Sequence, residues 1–99
     1  MTSLRILPKA AEELREASRY YESVQSGLGA ALTGEVRRTF RRIKEYPRAA
    51  RIERNEIRVL SVARFPYRIY YRARDAEILI VAIGHRRRRP GYWRDRTAT

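Results

Sequence analysis

The sequence predicts an α+β fold in which an antiparallel sheet packs on a two-helix hairpin. Three observations lead to this prediction: a short apolar stretch at residues 4–7, two long segments with helical spacing of apolar residues, and a change to a period of two after residue 56. The predicted order is β-α-α-β-β-β, and 99 residues suit a single domain, residues 1–99. A helix hairpin and a sheet that each have one apolar face can bury both faces against each other in two layers.

The first half of the predicted domain is mainly helical. "LRIL" at residues 4–7 suits a strand, and Pro8 then stands at the first position of a helix, where its missing N–H is tolerated. Apolar residues recur at helical spacing in the following segment as far as Val24. Gly27 in "QSGLG" is a predicted C-cap, and a second helix continues from there and ends before Pro47. The short connection predicts that the two helices pack antiparallel.

The second half is predicted to form three strands after a polar loop at residues 48–56. The segments rich in β-branched and aromatic side chains are residues 57–63, 67–73 and 78–84. The last of them, "ILIVAIG", is apolar on both faces, as expected for a central strand. Alternation places Arg68, Tyr70 and Arg72 on one face of their strand. We therefore expect the sheet face away from the helices to carry arginine and tyrosine.

The chain is strongly basic, with a formal net charge of +12, and nearly all of its cations are arginine. Lysine occurs only at Lys9 and Lys44, and residues 51–99 carry 13 basic and 5 acidic side chains. Arginine favours phosphate or carboxylate partners because its planar guanidinium binds two oxygens at once. Nucleic acid, an acidic protein and an anionic membrane surface all fit this charge.

Several other classes of protein fit the sequence poorly. It has no cysteine, so disulfides and thiolate metal sites are ruled out, and its one histidine, His85, leaves little for a metal centre. No apolar run approaches the length of a membrane span, and "MTSLRILPKAAEEL" lacks the layout of a signal peptide. We therefore expect a cytoplasmic protein that needs no metal, no cofactor and no membrane.

The most unusual segment is "GHRRRRPGYW", residues 84–93, which opens a predicted basic C-terminal tail at residues 85–99. Two interpretations are open: a solvated tail, or a surface that binds phosphates. Tyr92 and Trp93 favour the second, since aromatic rings beside arginines can stack on bases. Trp93 has an alternative role, in which it folds back over the helix hairpin and covers the core. The residues expected to contact a target are Arg64, Arg87, Arg88, Arg89 and Trp93.

The chain resembles the RelE/ParE superfamily of toxins from bacterial type II toxin–antitoxin, or plasmid-stabilisation, systems. The resemblance covers nearly the whole chain and rests on the β-α-α-β-β-β order together with "AAEELREASRYYE", a second helix ending "RRIKEYP", and "RFPYRIYYRARDAEILIVAIGHRRRRPGYW". It implies a toxin that an antitoxin encoded beside it neutralises. Members of the ParE kind poison DNA gyrase, and members of the RelE kind cut messenger RNA in the ribosome.

The resemblance to the RelE kind implies a catalytic set in this chain. Arg68 and Arg86 match phosphate-binding arginines, Tyr92 matches a stacking aromatic near the C-terminus, and His85 is the side chain suited to proton transfer near neutral pH. The chain departs from RelE-kind toxins that use lysines, because it has none after Lys44. Other RelE-kind members pair a glutamate with a histidine, and this chain matches that pair only loosely, through Glu53 or Glu56 with His85.

Three hypotheses therefore stay open at this point. The favoured one is a ParE-like gyrase inhibitor, which needs no catalytic set. The alternatives are a RelE-like ribosome-dependent mRNA endoribonuclease and a non-toxic nucleic-acid-binding module. In the first two, the resemblance implies a toxin–antitoxin hetero-oligomer. Because the chain is so basic, we expect its antitoxin to be acidic where it contacts the toxin and partly disordered when free.

Overall fold

The computed structural model describes residues 2–97 and confirms the α+β class. Five strands form one sheet, two long helices lie on one face of it, and a short 3-10 helix ends the described chain. The elements are β1 (Ser3–Ile6), α1 (Pro8–Val24), α2 (Leu28–Glu45), β2 (Ile52–Arg54), β3 (Ile57–Ser61), β4 (Tyr67–Arg74), β5 (Glu77–His85) and the 3-10 helix η1 (Arg94–Thr97).

The helix hairpin is built around a glycine turn. Gly27 has φ 92°, a left-handed conformation that glycine adopts without strain, and it is the N-cap of α2 rather than the predicted C-cap of α1, which is Gln25. The carboxylate of Glu22 accepts the N–H groups of Gly27 and Gly29, both at 3.0 Å, and so satisfies two free donors at the start of α2. These bonds fix the turn that folds α2 back on α1.

The sheet is mixed, with the strand order β1-β5-β4-β3-β2. β1 pairs parallel with β5, with Ser3 opposite Glu77, whereas the other neighbours are antiparallel, as predicted. The connection between the parallel strands β1 and β5 contains both helices and three further strands, far more than the dozen or so residues that a parallel pair requires. The structure also adds β2 in a region predicted to be loop, because Ile52–Arg54 pairs with the start of β3.

The main core lies between the sheet and the helix hairpin. Residues of α2 that are almost completely buried, such as Leu32, Val36 and Ile43, meet inward-facing residues of the sheet, including Ile69 and Ile80. All five side chains are at most 1% exposed. Apolar packing on this side therefore fixes the position of both helices relative to the sheet.

A second core covers the opposite face of the sheet. Here Tyr70, Leu79 and Val81 pack with Trp93, which is only 2% exposed and stacks on Tyr70 with ring centroids 5.4 Å apart. The segment after β5 folds back over this face, so the predicted tail is folded over residues 85–97, and its last two positions lie outside the described residues. This corrects two expectations: the face is not an open arginine–tyrosine surface, and Trp93 covers the sheet rather than the helix hairpin.

Candidate functional site

The best candidate for a site near the predicted residues is a cleft at the end of β5, beside α1. Its volume is about 240 Å³, and its walls come from one helix, two strands and the segment that follows β5. The lining residues are Glu13, Glu16, Ala17, Tyr20, Tyr67, Ile83, Gly84, His85 and Arg88. Of the predicted site residues, His85 and Arg88 line this cleft.

His85 ends β5 on the helix side of the sheet. It pairs across the sheet with Tyr67, and the two rings meet edge to face with centroids 5.5 Å apart. Its Nδ1 atom accepts the backbone N–H of Arg87 at 3.0 Å. Because Nδ1 accepts this local hydrogen bond, Nε2 of the neutral ring is an N–H group and can only donate a hydrogen bond to a ligand in this conformation.

Arg68 lies on the opposite face of the sheet from His85. It is aligned with Gly84 in β5, whereas its neighbour Tyr67 is aligned with His85, and successive side chains of a strand point to opposite faces. Tyr92 packs against Gly84 on the same face as Arg68. The structure therefore does not bring the predicted RelE-like set together, because the sheet separates His85 from Arg68 and Tyr92.

Tyr92 is held tightly in a groove over Gly84. A Cβ atom at Gly84 would lie 2.8 Å from Cζ of Tyr92 and still closer to its hydroxyl, so only glycine leaves room for the ring. The guanidinium carbons of Arg88 and Arg96 lie 4.0 and 5.1 Å from the ring centroid. Burial, with the nearby charge of Glu13, raises the pKa of Tyr92, and its hydroxyl has no hydrogen-bond partner within residues 2–97. Tyr92 is thus a packing residue here rather than an open stacking platform.

Glu13 and Arg96 form a bidentate ion pair in this region that no pattern in the sequence indicates. Two parallel hydrogen bonds of 2.8 and 3.0 Å join the groups, and both side chains are 15% exposed. The hydrogen bond from Arg96 to Glu13 raises the pKa of the guanidinium. Glu13 also accepts the N–H of Ile83, and Arg96 donates to the carbonyl of Val81. The pair therefore satisfies the edge of β5 beyond the end of β1 and fastens the C-terminal segment to α1.

The arginines of the predicted target-binding set lie at the surface. Arg87, Arg88 and Arg89 are exposed, as is Arg86 of the RelE-like set, and the turn that carries them is fixed by backbone hydrogen bonds from Arg86 to Pro66 and from Arg88 to His85. Arg64 is 65% exposed, in a left-handed conformation, 3.4 Å from Glu35. Trp93, in contrast, is buried in the second core, so its predicted place at a binding surface is corrected.

The two glutamates considered as partners of His85 are engaged elsewhere. Glu53 pairs with Arg51 and Glu56 with Arg74. Both glutamates lie near β2, the edge strand that β3 and β4 separate from β5. Neither lines the cleft that contains His85. Across residues 2–97 no group of three His, Asp or Glu side chains is placed to hold a metal ion.

These features define a small arginine-rich α+β domain, with a helix hairpin on one face of a mixed sheet and a fastened C-terminal segment on the other. A family model described as "ParE toxin of type II toxin-antitoxin system, parDE" matches residues 4–90. The chain belongs to this ParE toxin family. None of the helices described between residues 2 and 97 is long and apolar enough to cross a membrane.

A solved structure with a similar fold is titled "Chromosomal ParDE TA system from P. aeruginosa". The match has a TM-score of 0.76 at 20% sequence identity, and it covers 86% of this chain and 96% of that chain. No curated protein matches the chain. The structural similarity thus agrees with the family match on the fold.

Proposed function

We propose that this toxin arrests growth by inhibiting DNA gyrase. Membership of the ParE family carries the proposal, since the predicted ParE-like mode of action needs no catalytic group. The position of His85 and Arg68 on opposite faces of the sheet supports it, because proton transfer and phosphate binding would have to meet at one scissile bond. The toxin then acts by occupying a surface of its target.

The ribonuclease alternative needs a proton-transfer group close to bound phosphate. His85 is the only imidazole in that set, and its Nδ1 already accepts the N–H of Arg87. Tyr92 is wedged against Gly84 and cannot stack on a base without leaving its groove. Arg88 shares the cleft with His85, but the family match is the stronger observation, so the gyrase hypothesis is preferred.

The partner that neutralises the toxin is proposed to be an acidic antitoxin, partly disordered until it binds. The net charge of +12 supports a partner of opposite charge, and the exposed arginines offer it bidentate contacts. The residues proposed to meet acidic side chains are Arg64, Arg68, Arg86 and Arg88. The resulting hetero-oligomer is proposed to form in the cytoplasm, where gyrase is also found.

Two measurements test this function. Purified toxin should inhibit supercoiling of relaxed plasmid by gyrase in vitro, and addition of the antitoxin encoded beside it should restore supercoiling. Primer extension on total RNA after induction should reveal no new 5′ ends in translated messages. New ends at codon boundaries, with unaffected supercoiling, would replace the gyrase proposal with the ribonuclease. Normal growth during accumulation of folded protein in a susceptible host would contradict both.

A further inference from the structure

The exposed faces of the two helices differ sharply in charge. On α1 the exposed charged residues are mixed, three cations and three carboxylates: Lys9, Glu12, Arg15, Glu16, Arg19 and Glu22. On α2 five exposed cations face a single carboxylate at the last position: Arg37, Arg38, Arg41, Arg42, Lys44 and Glu45. Both helices are long, exposed on one side and packed on the same sheet, so solvation alone does not explain the difference.

The cations on α2 form a continuous stripe, which we call the α2 arginine stripe: Arg37, Arg38, Arg41, Arg42 and Lys44. They lie three and four residues apart, on the side of the helix opposite the buried Leu32, Val36 and Ile43. Like charges at this spacing repel and destabilise a helix. Within residues 2–97 no ion pair or side-chain hydrogen bond engages the stripe. The helix dipole favours the two cations of the last turn, Arg42 and Lys44, but not the other three.

The structure limits which polyanion the stripe can bind. It cannot enter a lipid bilayer as an amphipathic helix, because the apolar face of α2 is already buried in the core. No aromatic ring lies among the stripe residues for stacking on single-stranded bases, and the exposed Tyr46 stands beyond the stripe at the C-cap of α2. A straight helix of 18 residues, about 27 Å long, fits along the phosphates or into the wide major groove of B-form DNA, whereas the major groove of A-form RNA is too narrow.

We propose that the α2 arginine stripe binds the phosphate backbone of double-stranded DNA. Arg37 and Lys44 are separated by about 10 Å along the helix axis, so the stripe faces several successive phosphates, which follow one another about every 3.4 Å along each strand. The proposed contacts are made to phosphate oxygens, which carry no sequence information, and binding therefore depends little on sequence. This contact is independent of gyrase inhibition, since it needs only the toxin and a duplex.

Salt dependence measures the contact directly. The full-length chain is titrated into a fluorescently labelled 20-base-pair duplex at increasing NaCl, and anisotropy gives the dissociation constant at each salt concentration. In one variant Arg37, Arg38, Arg41 and Arg42 become Gln. In the matched control Arg86, Arg87, Arg89 and Arg94 become Gln; these are also exposed and lack ion pairs in the described chain, and Arg88 stays on Tyr92. Each variant lowers the net charge by four.

The stripe variant should lose most of the affinity, and the slope of log K against log salt should become shallower by about 3 to 4, or about 0.9 for each lost phosphate contact. The control should change that slope by less than half as much. The stripe variant should also melt no lower than the wild type, since like charges are removed from one helix. Equal losses in the two variants, or tighter binding of single-stranded RNA, poly-glutamate or anionic vesicles than of the duplex, would overturn the proposal.

Discussion

Gly84→Ala tests whether Tyr92 fastens the C-terminal segment to the sheet. The new methyl carbon would stand 2.8 Å from Cζ and 3.1 Å from Cε1 of Tyr92, closer than side chains pack, so the ring must move out of its groove. Overpacking of this kind destabilises a protein by about 1–3 kcal/mol. For a domain of this size, the melting temperature should fall by about 4–8 °C for each kcal/mol.

The same substitution should have the opposite effect when Tyr92 is shortened. In a Tyr92→Leu background the distal atoms that clash are absent, and alanine is favoured over glycine in a strand by about 0.5–1 kcal/mol. Gly84→Ala should then stabilise the protein, which gives a coupling energy of about 1.5–4 kcal/mol between the two positions. Gly34→Ala is the control, because a Cβ there meets nothing within 4 Å, and it should stabilise the exposed helix in either background.

Urea unfolding followed by tryptophan fluorescence is the assay. Trp93 is the only tryptophan and is 2% exposed, so its emission reports whether the C-terminal segment stays on the sheet. If Gly84→Ala lowers stability by the same amount with Tyr92 and with leucine at that position, contact with the ring is not what requires a glycine, and the packing described for Tyr92 is refuted.

Three further predictions concern single side chains. Glu13→Gln leaves the Arg96 guanidinium half-buried without its counter-charge, so urea unfolding should show a loss of about 2–4 kcal/mol. Hydrogen bonds from the N–H groups of Gly27 and Gly29 lower the pKa of Glu22. The carboxylate therefore stabilises the fold above pH about 4.5, and this stabilisation is lost as the pH falls through the lowered pKa. The stability of the Glu22→Gln variant should depend less on pH in acid than that of the wild type. The His85→Ala toxin should still arrest growth in a plating assay. A loss of toxicity by roughly 10²–10⁴-fold, as expected for a missing acid–base group, would instead favour the ribonuclease hypothesis.

The helices were predictable because their boundaries are encoded locally. Pro8 and Pro47 restrict the backbone, Gly27 permits the left-handed turn between the helices, and the apolar period between these points is strong. β2 was missed because Ile52–Arg54 has only three residues, all exposed, and its pairing depends on β3 rather than on its own pattern. Likewise, nothing in residues 4–7 indicates whether β1 pairs with a parallel or an antiparallel neighbour, because the direction of that neighbour depends on the path of the whole chain.

The candidate site was predictable only in part. Alternation along β4 already separated Tyr67 from Arg68, but the cross-strand register that puts His85 with the first and Gly84 with the second comes only from the structure. The Glu13–Arg96 pair joins positions 83 residues apart, and neither residue belongs to a pattern that marks it. The sequence alone also left open whether the C-terminal segment is ordered. A run of arginines has the same pattern whether or not an aromatic residue that follows it packs in a groove of the fold.

The parallel pairing of β1 with β5 also governs when the toxin can complete its fold during synthesis. Ser3 pairs with Glu77, so β1 has no strand neighbour until β5 has been made, 74 positions later along the chain. The segment that covers the outer face of the sheet, with Trp93, follows β5. Closure of the sheet therefore waits for β5, and β1 stays unpaired while the elements between the two strands are synthesised.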